Sequence, residues 1–258
     1  MSVKPDFVRI AREHGLAWVT LDRPPLNLIV PEMVEGIRAA FDALRRDPDV
    51  RLAVISGAGR VTTGGMQLQV LRELTPARAK AFIASLHEAI NLVHDAPFPT
   101  IGMVHGACLG AGFELAMACD LRTAAADTRL GLPEIRVGIP SVIEAALLPG
   151  FVGPGRAAEI LLTGDAITAA QALDWGLVNR VAPAAELRAV TAALAARILE
   201  CAPTAVRLQK ELIVRWRNTD QRTAVEYGVN AFAQSFATGE PREAMDAFLG
   251  KRPPRFAP

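Results

Sequence analysis

Two glutamates and two glycine-rich stretches carry the chemistry legible in this chain. In "GACLGAGFELAMACD", residues 106–120, a small apolar run is interrupted by a carboxylate, Glu114, two residues after its last glycine. The preceding "FPTIGMVHG" reads as a buried strand, and Leu115, Ala116 and Met117 suit a helix, so the stretch predicts strand, glycine turn, then helix. Such a turn points backbone N–H groups at whatever lies before the helix, where the dipole also favours negative charge. Gly110, Ala111 and Gly112 are small enough to admit a carbonyl oxygen, and Glu114 falls in the first helical turn beside it. A second stretch, "VTTGGMQL", also follows a buried strand, with Thr63, Gly64 and Gly65 ahead of an apolar run. Two backbone donors from two strand ends, aimed at one oxygen, form an oxyanion hole.

Glu134 is the third element, following Pro133 and set between Leu132 and Ile135. A carboxylate in apolar surroundings is costly unless it is paired or used. Facing Glu114, it would raise an apparent pKa, so that one carboxyl holds a proton while the other acts as base. That arrangement suits proton transfer beside a carbonyl, or water addition to a conjugated one. The spacing equally allows a surface Glu134 paired with Arg136 or Arg129, and glycine turns that are purely structural.

Other chemistries lack their residues. Gly110-Ala-Gly112 is followed by Leu115, so no dinucleotide fingerprint forms, and there is no Gly-x-x-x-x-Gly-Lys loop. Ser141 lies in "GIPSV" rather than in a nucleophile elbow. No zinc spacing occurs; His87 and His94, on a long amphipathic segment, read as surface or packing histidines. Cys108, Cys119 and Cys201 read as reduced, partly buried thiols. The formal charge of +1 is scattered along the chain, with no footprint for nucleic acid or an anionic membrane. A local site for a small anion remains open. The N-terminus has no apolar leader-like run and no segment reaches membrane-spanning length, so the expected compartment is the cytoplasm.

The elements that must position these groups alternate. "FVRIAREHGLAWVTLDRP" reads as a hairpin turning at His14-Gly15, and Val34, Ile37, Phe41 and Leu44 fall at helical spacing. "VRLAVISGAG" is a continuous apolar run, as in a strand covered on both faces, and Thr75-Pro76 opens a helix carrying Phe82, Leu86, Ile90 and Val93. "LRTAAADTRLGLPE" reads as two short strands running into Glu134. The 258 residues, 51% apolar and 21% charged, therefore predict an α/β core over residues 1–184 and a helical region over 185–258. In the latter, Leu187, Val190, Leu194 and Ile198 form one face, and Leu208, Leu212 and Trp216 another; Phe232, Phe236 and Phe248 follow. A helical tail of this kind packs against a partner subunit.

Taken together, "LDRPPLN", "RVTTGGMQL", "VHGACLGAGFELAMACDLR", "TRLGLPEIRVGIPSV" and "LLTGDAITAAQALDWGLVNRVAP" resemble the crotonase superfamily of enoyl-CoA hydratases and isomerases over nearly the whole chain. The resemblance implies a ββα spiral core with an α-helical C-terminal oligomerisation region, assembling as trimers or hexamers. It implies an acyl-CoA thioester substrate, coenzyme A being part of the substrate and no other cofactor or metal being needed. On matching positions, the oxyanion donors are the backbone N–H groups of Thr63 and Ala111, the acid and base are Glu114 and Glu134 with one water between them, and Gly64, Gly65, Met66 and Gly110 line the substrate site. That pair implies a hydratase; an isomerase, a thioester hydrolase or lyase, and a non-catalytic acyl-CoA binder are the alternatives. The pocket walls would come from residues 66–74 and the helix at 77–95. The chain departs from the family pattern at Thr-Thr-Gly-Gly-Met, where Met66 replaces the usual acid. Gln67-Leu68 and Pro25 stand where basic residues are common, and Ala111 replaces a glycine.

Overall fold

The computed structural model describes residues 7–256; residues 1–6, where the sequence shows no apolar leader-like run, and 257–258 lie outside them. The chain opens with the antiparallel hairpin β1 (Val8–Glu13) and β2 (Leu16–Leu21), turned by His14 and Gly15 at φ 48° and 82°. There follow α1 (Pro31–Arg46), β3 (Leu52–Gly57), α2 (Leu68–Arg72), α3 (Pro76–His94), β4 (Thr100–Val104), β5 (Ala107–Leu109), α4 (Ala111–Ala118), β6 (Leu121–Ala125) and β7 (Arg129–Gly131). Two 3-10 turns, Pro133–Val137 and Ile143–Leu147, precede α5 (Leu148–Val152), α6 (Pro154–Thr163), β8 (Ile167–Thr168), α7 (Ala169–Asp174) and β9 (Arg180–Ala182). From there the chain is helical: α8 (Leu187–Leu199), α9 (Pro203–Trp216), α10 (Gln221–Ser235) and α11 (Glu240–Leu249).

Six strands form the main sheet in the order β1-β2-β3-β4-β6-β9, parallel from β2 onward. Parallel strands need helices over their faces, which is why β3 reads as an unbroken apolar run: Leu52 through Ile55 are all buried. On one face, α1 and α3 cover the sheet through Met33, Ile37, Phe41, Leu86 and Ile90. On the other, α8 packs Ala195 against Trp18, Leu52 and Ile101. A second sheet, β5-β7-β8, is too short to show as a period in the sequence, and β5 interrupts what reads as one glycine turn.

The helical region departs from its expected packing. α9 docks less by Leu208 and Trp216, the latter 44% exposed, than by Lys210, which is 3% exposed. The Lys210 ammonium donates to the His94 carbonyl and to Asp120, both at 2.7 Å. Phe232, Phe236 and Phe248 are exposed, together with Val225, Val229, Met245 and Leu249 on α10 and α11. Cys108 and Cys119 are buried free thiols, whereas Cys201 is exposed. No single helix among the described residues is long and apolar enough to cross a membrane.

Candidate active site

The first loop leaves β3 and is pinned from beneath. Asn27, in the "LDRPPLN" stretch, is 1% exposed, and its side-chain amide donates to the carbonyls of Ala58, Val61 and Thr62 at 2.8, 2.9 and 3.2 Å. The Asn27 carbonyl accepts the Thr63 hydroxyl at 2.8 Å. Thr63 then runs beside β5: its N–H donates to the Ala107 carbonyl at 3.0 Å, and its own carbonyl accepts from Leu109 N–H at 3.1 Å. This corrects the expectation for Thr63, because an N–H committed to a neighbouring strand is not free for a ligand oxygen. The Gly64 N–H is likewise taken by the Leu26 carbonyl. The next donor is Gly65, whose N–H meets only the Thr63 hydroxyl, at 3.0 Å. Gly65 has φ +88° and lies against the Leu109–Gly110 backbone. Only glycine adopts this conformation at little cost.

The second loop supplies the matching donors. Gly110, at φ 55° and ψ −133°, caps α4 and turns the chain into it. Phe113 and Glu114 donate to the Gly110 carbonyl, while Ala111 and Gly112 supply the first helical N–H groups, which have no intrahelical acceptor. Ala111 opens the helix with an ordinary negative φ, so its methyl group is tolerated. Gly112 cannot carry one, because a Cβ there would stand 1.9 Å from Thr63 Cγ2. All eight residues of α4 are buried, as expected for a helix apolar all round.

Glu114 is therefore carried into the interior. It is 2% exposed, and one carboxyl oxygen accepts the Ala145 N–H at 2.9 Å. Burial pushes its pKa up to about 8; the Ala145 bond opposes this, and the nearby carboxylates Glu134 and Glu144 add to it.

Glu134, 8% exposed on the 3-10 turn Pro133–Val137, accepts the Ser141 hydroxyl at 2.8 Å through Oε2. Its Oε1 stands over the glycine turn, 2.6 Å from where a Cβ on Gly110 would be. The structure thus brings Glu134 to the N-terminus of α4, within electrostatic reach of Glu114. Arg136 is not its partner, being paired with Asp165. Between the loops lies a cavity of about 370 Å³ lined by Gly64, Gly65, Met66, Gly110 and Glu134, with walls from α2. Helix α3, expected to form part of this wall, lies elsewhere and lines a separate cavity. Gln67, in the place of a basic residue, accepts from the Arg23 guanidinium at 2.7 Å.

Glu144 escaped the sequence reading, as did the contacts of His87, His94 and Ser141. Glu144 is 6% exposed and pairs with His87, Nδ1 to Oε1, at 2.6 Å. His87 is thus no idle surface histidine, and His94 is buried between Asp95 and Arg217. The signal for Glu144 was present: "VIEAALL" sets a carboxylate in an apolar run, as around Glu134. Ser141 carries no such signal, since a hydroxyl is unremarkable in a loop. Among the described residues, no group of three or more His, Cys, Asp or Glu could hold a metal.

The family model for enoyl-CoA hydratase/isomerase matches residues 11–258. The crotonyl-CoA hydratase of Syntrophomonas wolfei is 36% identical over 250 residues, covering 96% of both chains. The short-chain-enoyl-CoA hydratase of Clostridium acetobutylicum is 32% identical over 248 residues and 95% of both. Among solved structures, Pseudomonas aeruginosa DspI superposes with a TM-score of 0.94 at 29% identity, over 98% of this chain and 97% of that one. The enoyl-CoA hydratase of Bacillus anthracis gives 0.93 at 27%, over 97% and 98%. With this fold and a match spanning nearly its whole length, the chain belongs to the enoyl-CoA hydratase/isomerase family of the crotonase superfamily.

Proposed function

We propose that this protein adds water across the 2,3 double bond of a 2-enoyl-CoA thioester, with Glu114 and Glu134 as the acid/base pair. The observation that carries the reading is the meeting of these two buried carboxyls at the N-terminus of α4, beside a cavity between two glycine loops. In this reading the thioester oxygen accepts from the N–H groups of Ala111 and Gly65, the latter in place of Thr63. Each is a preorganised donor aimed where enolate charge develops; losing one such donor costs about 3–4 kcal/mol in the transition state. The Gly65 N–H exchanges or shares its contact with the Thr63 hydroxyl when the oxygen arrives. Gly64, Met66 and Gly110 line the passage for the thioester.

At neutral pH Glu114 holds a proton, because burial and the neighbouring charges hold its pKa at about 8. The ionised member takes a proton from water as the oxygen attacks Cβ. The protonated member delivers its proton to Cα as the enolate collapses. The sum is one water added, with no metal or redox partner in the balance.

The exposed apolar side chains of α10 and α11, from Val225 to Leu249, fit burial against further copies of this chain, as a trimer or a pair of trimers. Light scattering on the purified chain reads the assembly directly.

The test of function is to follow loss of the conjugated thioester absorbance with crotonyl-CoA and longer or branched enoyl-CoAs, using wild type, Glu114→Gln and Glu134→Gln. Hydration by wild type and a loss of kcat of about a thousandfold in each variant is expected for acid/base groups acting in concert. A wild type inactive across the panel overturns the hydratase reading. Isomerisation of a 3-enoyl-CoA that survives Glu134→Gln would move the assignment to the isomerases.

A further inference from the structure

On the side of Glu114 served by α3 lies a pair of groups that the proposed reaction leaves unexplained. Glu144 is 6% exposed, and its Oε1 is held at 2.6 Å by His87 Nδ1. Its Oε2 is fully buried, with no hydrogen-bond partner among the described residues. A buried carboxylate oxygen without a donor is among the most costly groups a fold can keep, and natural interiors rarely keep one without a use. The backbone holds it there under strain: Ile143, immediately before it, has φ +42°, a conformation that a β-branched residue strongly disfavours. That same step sets the following N–H, on Ala145, which bonds Glu114 at 2.9 Å. One strained turn therefore places both the group that grips Glu114 and the carboxylate next to it.

His87 connects this interior to water. It is half-exposed on α3 and, with Glu144, lines a cavity of about 510 Å³ that also meets Asn91, His94 and Arg217. This cavity is distinct from the one containing Glu134 and the glycine loops.

We infer that Glu144 and His87 are positioning residues forming a proton relay between Glu114 and this second cavity. The inference rests on the hydratase reading for its purpose. Each turnover leaves a proton, taken from water, on the base, and leaves the acid without the proton it gave to Cα. The pair is reset, with no net gain or loss, when Glu134 exchanges its proton through the front cavity it lines once product leaves and Glu114 exchanges one by a route of its own. Glu114 is 2% exposed, and a thioester in the front groove covers that route to solvent. Glu144 and His87 offer the other: a proton passes between Glu114 and Glu144 Oε2, directly or through one water. It passes between Glu144 Oε1 and His87 Nδ1, and His87 Nε2 exchanges with the cavity.

The charged groups around this route are few. Glu114, on α4, faces Glu134 and Glu144. Glu144 faces His87 from α3. Beyond His87, His94 is held between Asp95 and Arg217, and Glu88 of the same helix is committed to Arg38. Burial raises the carboxyl pKa of Glu114, to about 8, and also that of Glu144, with His87 opposing the rise at Glu144.

The experiment replaces His87, whose half-exposed position tolerates truncation. His87→Ala is expected to lower kcat for crotonyl-CoA hydration about tenfold or more with KM unchanged, consistent with one general acid/base step. Added imidazole should restore it saturably, and the loss should deepen above neutral pH, where the proton that Glu114 must regain is scarcer. A merely structural histidine would give no imidazole rescue. Unchanged kcat and pH profile in His87→Ala, with wild type active, overturns the relay and leaves the hydratase reading standing. A second measurement needs no turnover: infrared difference titration of Glu114 in the free protein, wild type against Glu144→Gln. The Glu114 midpoint should fall by about one pH unit when the neighbouring charge is removed. An unmoved midpoint overturns the relay whether or not the chain hydrates an enoyl-CoA.

Discussion

Glu114→Gln offers a test in which stability, rather than rate, reports on the site. Glu114 is 2% exposed and its pKa is raised from 4.5 to about 8. A carboxyl group whose folded pKa exceeds its unfolded one binds its proton more tightly in the native state. Wild type therefore loses stability as pH rises from about 4.5 to about 8, and the loss levels off above that. At about 1.4 kcal/mol per tenfold in proton affinity, the shift is worth about 5 kcal/mol at full ionisation. Water entry and local relaxation on ionising the group bring the expected figure to about 3–5 kcal/mol. Glutamine matches the protonated side chain in shape and can still accept the Ala145 N–H. The variant should thus equal wild type within about 1 kcal/mol at pH 5, and exceed it by about 3–5 kcal/mol at pH 9. Urea unfolding of both proteins at fixed concentration across pH 5–9 measures this. A stability difference independent of pH would show that Glu114 ionises as freely as a surface carboxylate, and the reasoning about its burial would fail.

Three further outcomes are expected. Gly110→Ala places a methyl 2.6 Å from Glu134 Oε1 at φ +55°; it should cost about 1–3 kcal/mol and most of the activity, and near-normal kcat would refute the close approach of Glu134 to this turn. Asn27→Ala leaves three loop carbonyls without their donor and should cost about 2–4 kcal/mol in urea unfolding; a loss under 1 kcal/mol would mean the first loop holds without this pin. Lys210→Met removes the partner of Asp120 and should cost about 2–4 kcal/mol, read as early exposure of α9 in hydrogen exchange; uniform exchange across the chain would refute the docking role.

Much of this architecture was legible because its signals are local. Alternation in β1 and β2, the 3.6-residue period of α1 and α3 and the unbroken apolar run of β3 each state a period and a face. Glu114 and Glu134 stood out for the same reason, a charge inside an apolar pattern. What escaped depends on partners distant in sequence. No spacing rule reveals that the Thr63 N–H is already bonded to Ala107, since that bond joins segments forty-four residues apart and β5 is only three residues long. Nor does the periodicity of α3 reveal that His87 meets Glu144, which comes from a 3-10 turn between β7 and β8. In α9, the apolar spacing suggested Leu208, Leu212 and Trp216 as the docking face. Leu212 is buried as that spacing suggests, but it is joined by Lys210, whose burial becomes affordable only when Asp120 and the His94 carbonyl converge on its ammonium. Phe232, Phe236 and Phe248 mark a face that a single chain leaves open.

The lacing of Thr63 to β5 also has a thermodynamic consequence. Thr63 donates to Ala107 and accepts from Leu109, so the two glycine loops are one hydrogen-bonded unit rather than two arms that must find each other. In the proposed reaction the N–H groups of Gly65 and Ala111 would therefore be held in place before any ligand arrives. A thioester oxygen entering there would order little chain, so the entropic toll of assembling the site would fall on folding, once, instead of on every turnover.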